Sequence, residues 1–143
     1  MILSPRIWGP HYWFFLHTCA MAYPIKPNTV IKKKFYEFIQ NFSLFIPDKK
    51  ISVSFSKLID KYPVSPYLDS RDSFIRWTHF IHNKINRKLE KPQKSISKFY
   101  AEYYKSYEPV NIQNIKWKKM KKHIVYAFVL IIFIIITYCF YKY

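Results

Sequence analysis

A chain of 143 residues with 24 Lys and Arg against 8 Asp and Glu has a formal charge of +16; half of its residues are hydrophobic and 21% are aromatic. That length holds one helical core of about 100 residues plus an appendage, hardly two. Two cysteines, Cys19 and Cys139, exclude a disulfide framework, and a single glycine, Gly9, excludes a glycine-rich phosphate loop and leaves turns built on positive φ almost unavailable outside the N-terminal segment.

From Pro10 to Tyr23 the residues Trp13, Leu16, Ala20 and Tyr23 recur at helical spacing, and Pro24 and Pro27 stop the pattern. A second helix is expected from about Thr29 to Phe45, with Ile31, Phe35, Phe38, Ile39 and Phe42 inward and Lys32, Lys33, Lys34 and Glu37 largely outward. Pro47 ends or redirects it. The third, Lys49 to Lys61, places Ile51, Phe55, Leu58 and Ile59 on one face, and Pro63 and Pro66 make the next stretch a loop. A fourth helix starts near Asp69 or Ser70, either of which can cap it, and runs through Phe74, Trp77, Ile81 and Ile85 to about Leu89. Pro92 closes it. Residues 95 to 107 make a short fifth helix, capped by Ser95, with Phe99, Tyr103 and Tyr107 as its stripe. The expected fold is all-α: a four-helix bundle with a short fifth helix over residues 1–109, followed by one transmembrane helix.

That last helix follows a linker, Val110 to Ile115, within a basic stem over 110–123 whose KWKKMKK run holds five lysines. The 18 residues from Ile124 to Tyr141 carry no charge and would span about 27 Å as a helix, close to the hydrocarbon thickness of a bilayer. A buried core helix is the alternative, but no second apolar surface of that all-round kind exists to cover it. With five lysines before the span and only Lys142 after it, the positive-inside rule keeps the N-terminal domain in the cytosol, in a single-pass, tail-anchored arrangement without a cleavable signal peptide. Residues 1 to 110 alone hold 18 basic against 8 acidic side chains. The partner this suits is a lipid bilayer with an anionic surface; nucleic acid ranks below it, because the densest basic run abuts the anchor.

Two unlike motifs face each other across the chain. The first is WGPHYWFFLHTCAMAYP, Trp8 to Pro24, with His17 four residues after Trp13 and six before Tyr23. The second is HFIHNKINRKLEKP, His79 to Pro92, which sets His82, Asn83 and Asn86 about one turn apart. Aromatic and histidine side chains at such spacing are more often core than cofactor contacts. His79 and His82 share a helix face, but no further Cys, His or acidic cluster completes a metal site, so none is expected.

Together the motifs resemble the Erv/ALR family of FAD-linked sulfhydryl oxidases, over roughly residues 5 to 108, and the composition with its anchor resembles the viral branch. The resemblance implies FAD in the mouth of the bundle, held by Trp8, Gly9, Trp13, His17 and Tyr23 from the first motif and by Trp77, His82, Asn83, Asn86, Lys88 and Lys91 from the second. It also implies protein partners, a homodimer through the first helices, and a virion membrane as the setting. Two departures stand out. Glu90 replaces the glycine of the family's Lys-Leu-Gly-Lys-Pro, and IPDKKISVSF puts Asp48 and Ile51 where the family carries the Cys-x-x-Cys that exchanges with substrate and contacts the flavin. Two readings follow: a redox-degenerate structural or interaction component at a membrane, or an FAD-linked thiol oxidase whose thiol is supplied in trans.

Overall fold

The computed structural model describes residues 3–109 and 112–142 and divides into two units, Met1–Ser106 and Tyr107–Tyr143. The first unit holds α1 (Pro5–Met21), α2 (Thr29–Asn41), α3 (Lys49–Lys61), α4 (Arg71–Lys88) and α5 (Ile96–Lys105), with 3-10 turns at Phe42–Phe45 and Ser65–Tyr67; no strand occurs among the described residues. The expected all-α bundle is therefore the fold.

Local chemistry starts each helix. Asn28, Asp48, Ser70 and Ser95 each accept a hydrogen bond from the backbone N–H three residues on, satisfying one of the orphan donors at the first turn of α2, α3, α4 and α5. α1 has no such side-chain cap and begins instead with Pro5, whose fixed φ and missing N–H suit the first helical position. That start lies five residues before the expected one: Pro10 sits inside the helix and forgoes a backbone bond without ending it. The second helix keeps its expected extent, but its last turn tightens to 3-10 from Phe42. The fifth ends at Lys105, and Tyr107, placed on its buried stripe by spacing, is 58% exposed beyond it.

Leu16 and Ala20 of α1, Ile39 of α2, Ile59 of α3, and Phe74, Trp77 and Ile81 of α4 are 0–1% exposed and form the centre of the core. Each large side chain among them stabilises the fold by about 1.5–3 kcal/mol through burial alone. At one end of the bundle the chain is laced shut. The Tyr23 hydroxyl donates to the Leu68 carbonyl at 2.8 Å, Arg71 Nε donates to the Tyr23 carbonyl, and Lys32 pairs with Asp69. At the other, the Tyr12 hydroxyl donates to the Phe45 carbonyl at 2.8 Å, joining the start of α1 to the turn before α3.

One positive φ corrects the expectation from the glycine count. Glu90 has φ 55 and follows the C-cap of α4, where the Lys91 N–H reaches the Asn86 carbonyl at 2.8 Å and the Glu90 N–H reaches the Arg87 carbonyl at 3.2 Å. This is the Schellman closure, in which a left-handed residue usually supplied by glycine reverses the chain. Glu90 occupies the glycine position for a backbone reason, with its carboxylate exposed.

The second unit contains α6, Ile112–Lys142, a helix without interruption through what the sequence divides into linker, stem and span; Val110 and Asn111 of that linker lie outside the described residues. Its 22-residue stretch Met120–Tyr141 is long and apolar enough to cross a membrane, at about 33 Å. Toward its C-terminal end the Thr137 hydroxyl donates back to the Phe133 and Ile134 carbonyls and so stays satisfied without water.

Candidate functional site

Helices α1 and α4 pack side by side, and this brings His17 against His82 across 65 residues of sequence, with His17 Nε2 and His82 Nδ1 3.0 Å apart. Trp13, one turn before His17, lies flat on His82 with centroids 4.0 Å apart and planes within 5°. Phe99 of α5 closes on His17 at 4.5 Å and on His79 at 5.5 Å. The cluster is tight: no third ring fits between Trp13 and His82.

Burial, then His82, His79 and Lys94, push His17 down to about 3; burial, then Lys94, His79 and Lys91, push His82 down to about 4 against the opposing Glu102. Both imidazoles are therefore neutral at pH 7, and one proton lies between them. His17 Nδ1 is buried and has no hydrogen-bond partner. Since an orphaned N–H is costlier than an orphaned acceptor lone pair, His17 donates from Nε2 and leaves Nδ1 as a bare acceptor. Asn86, 8% exposed, lies on α4 one turn after His82, but His17 Nδ1 is the one buried side-chain polar atom without a partner among the described residues.

The other candidate residues divide. Asn83 is occupied within the chain: its Oδ1 accepts from the Lys94 N–H at 3.0 Å and its Nδ2 donates to the Lys94 carbonyl at 2.8 Å. His79 donates to the same carbonyl at 2.9 Å, so its 3.2 Å approach to Asn83 Nδ2 sets two donors side by side and is not a bond. Together they clamp the α4–α5 loop. Tyr23 and Trp77 are core residues, 0% and 1% exposed, and the Trp77 indole N–H donates to the Tyr62 carbonyl at 3.0 Å. Trp8 donates to the Leu3 carbonyl at 3.2 Å and meets Tyr12 edge-on at 5.1 Å. Gly9, in α1, has nothing within 4 Å of where a Cβ would stand, so packing inside this chain does not require a glycine there. Lys88 donates to the Ser54 hydroxyl at 3.1 Å on α3, and Lys91 is exposed. Phe99 and Lys94 are the site residues that sequence reasoning missed; the Ser95 cap three residues before Lys98 signals the helix that delivers them, but no spacing signals its docking on α4.

Asp48 begins α3, where its Oδ1 accepts from the Ile51 N–H at 2.9 Å; Ile51 itself packs against the core. No group of three or more metal-ligating side chains occurs among the described residues. Cys19 is half-buried and free, and burial pushes its thiol up, away from a reactive thiolate.

Residues 10–105 match the Erv1 / Alr family. The chain belongs to that family. It is 34% identical over 85 residues to a probable FAD-linked sulfhydryl oxidase of Acanthamoeba polyphaga mimivirus, covering 59% of each protein. To the FAD-linked sulfhydryl oxidase of African swine fever virus (isolate Pig/Kenya/KEN-50/1950) it is 30% identical over 112 residues, 78% of this chain and 89% of that one. The bundle also resembles the solved FAD binding domain of Erv1 from Saccharomyces cerevisiae, with TM-score 0.62 and 31% identity over 66% of this chain and 88% of that one. The chain thus spans just under three fifths of the mimivirus relative and 46% of the mitochondrial oxidase of Schizosaccharomyces pombe.

Proposed function

We propose that this chain is a membrane-attached Erv1 / Alr protein that keeps a flavin-type site and lacks the dithiol that would work beside it, serving as a structural or interaction component. The observation that carries this reading is the start of α3. Family resemblance assigns the thiol pair to Asp48 and Ile51, and these two are instead joined as helix cap and capped N–H at 2.9 Å. A carboxylate and an alkyl group neither exchange with a disulfide nor contact a flavin as a thiolate does. The chain's own cysteines are no substitute, because Cys19 stands on α1 and Cys139 in the apolar helix α6.

FAD comes to this chain from the names of its relatives, and the residues present fit it. The unbonded, buried Nδ1 of His17 awaits a partner that the protein does not supply. Trp13 and His82 cover each other's inner face and leave only the outer faces of the pair, open space lies over Gly9, and Lys88 and Lys91 provide cations for a pyrophosphate. When bound, FAD would supply a two-electron acceptor; the chain's residues would hold it, and His17 and His82, both neutral, add no positive charge to the site. On this reading α6 spans a membrane with the bundle on the cytosolic side, as the lysine run at 116–122 favours, and the viral relatives favour a virion membrane as the setting.

The same unbonded atom favours a second reading, an FAD-linked thiol oxidase fed by a thiol from a partner subunit. An experiment on the purified full chain in detergent separates the two. The first reading expects no oxygen uptake when dithiothreitol is added, whether or not the purified chain carries a flavin absorbance. Thiol-dependent oxygen uptake by the wild-type chain defeats it and favours the second.

A further inference from the structure

Lys94 is the point at which the fifth helix is tied to the fourth. Its carbonyl accepts from Asn83 Nδ2 at 2.8 Å and from His79 at 2.9 Å, and its N–H donates to Asn83 Oδ1 at 3.0 Å. Its ammonium pairs with Glu102, two turns into α5. Backbone and side chain of one residue thus fasten this segment both to α4 and to α5. Past that latch, α5 buries two side chains, against seven on α4: Phe99, which closes on His17 and His79, and Tyr103, whose hydroxyl donates to Thr18 Oγ1 at 3.1 Å. Residues 94–105 therefore make one piece laid over His17, while the centre of the core belongs to α1, α2, α3 and α4.

The charges gathered beneath this piece are nearly all of one sign. His82 is faced by His17 from α1, by His79 from its own helix, by Lys91 and Lys94 from the segment before α5, and by Glu102 from α5. His17 is faced by His82 and His79 from α4 and by Lys94. Glu102 is the one acid in the set, and its bond to Lys94 holds it below the usual carboxylate range, so mild acidification leaves that pair intact. A proton added to either imidazole meets cations and no unengaged carboxylate. With the piece in place both rings are dry and neutral; with it lifted they return to water, where protonation is ordinary. The state that takes up protons more readily gains population as pH falls.

We propose that residues 94–105 are a lid over the His17–His82 pair, latched by Asn83 and His79 on the Lys94 backbone and lifted by acid when the pair takes up a proton. The arrangement itself carries this: three imidazoles and two lysines converge under one short helix whose attachment to α4 runs through a single residue. Because Phe99 of the lid packs on the ring that holds the unpartnered Nδ1, lifting opens that ring to solvent and to a ligand arriving from it. The lid is distinct from acid unfolding, in which the bundle would go with it.

Hydrogen–deuterium exchange of the full chain in detergent, read at pH 7 and pH 5 with labelling times scaled for chemical exchange, tests the lid. Amides of residues 96–105 are less protected than those of residues 74–81 at both pH values, and from the higher pH to the lower their protection falls about twentyfold for the first proton taken up. Asn83→Ala removes two of the three latch bonds and no charge; it lowers protection of 96–105 at pH 7 and leaves 74–81 as it was. The double variant His17→Gln/His82→Gln loses most of the acid response. Equal protection of the two segments at pH 5 means that α5 leaves only when the bundle unfolds, and overturns the proposal. So does protection of 96–105 that is the same at both pH values, or an acid response that the glutamine pair retains in full. If the glutamine pair fails to fold, Asn83→Ala decides alone: unchanged protection of 96–105 at pH 7 removes the latch and with it the lid.

Discussion

One end of the bundle and the ring cluster along α1 and α4 contrast in how they handle polar groups. At the end closed by Tyr23, the hydroxyl, the backbone carbonyl and the neighbouring charges all find partners: Leu68, Arg71, and Lys32 with Asp69. At the ring cluster, His17 Nδ1 is left without any, although it is buried. A polar group desolvated and unpaired costs stability that a hydrogen bond does not recover, so the first region is built to hold the fold and the second leaves room for something from outside.

The closed region should show the largest loss on truncation. Trp77→Ala removes a ring that is 1% exposed and its bond to Tyr62, with an expected cost of about 3–5 kcal/mol in denaturant or thermal unfolding; a loss under 1 kcal/mol would break the contrast. The ring cluster should instead show itself through pH. His17 and His82 are held near 3 and 4 in the fold against 6.5 when exposed, so the unfolded chain takes up protons first as pH falls. Their contribution is complete above about pH 6.5 and is lost on acidification until the folded values are reached. At pH 5 the loss is about 2 kcal/mol for each histidine, and a His17→Leu/His82→Leu variant should flatten the profile between pH 7 and 5. An unchanged slope in that variant would assign the acid sensitivity to other groups.

Smaller effects sharpen the contrast at the helix ends. Asp48→Ala removes the α3 cap and should cost about 1 kcal/mol, read as a fall in melting temperature, while Asp48→Asn retains most of the stability. Glu90→Gly relieves a left-handed residue of its Cβ and should gain up to about 1 kcal/mol; a loss would mean that the Glu90 side chain is engaged outside this chain.

Much of the architecture was legible because it follows from local rules. The third helix runs from Lys49 to Lys61 as its apolar stripe indicates, and Ser70 and Ser95 cap where hydroxyls before apolar periodicity suggest. The start of α1 was less so, since Pro10 marks a boundary by chemistry but is tolerated inside a helix whose true first residue is Pro5. Within the site, Trp13, His17 and His82 meet as the paired motifs suggest. The fate of Asn83 was not legible: its amide is held by the backbone of Lys94, and that contact depends on a loop path fixed only when α5 docks on α4. Position 90 shows the same limit from the other side, where the count of one glycine hides a backbone that still turns left-handed.

The hydrogen bond between Asp48 and the Ile51 N–H has a consequence for evolution and engineering. A cysteine is a poor helix starter compared with aspartate, so a cysteine at position 48 would cost α3 about 1 kcal/mol of stability. With Asp48 the start of the segment is self-sufficient. Placing cysteines at 48 and 51 therefore means giving up a well-seated helix start, and a second stabilising change, such as glycine at position 90, is the natural companion of any such substitution.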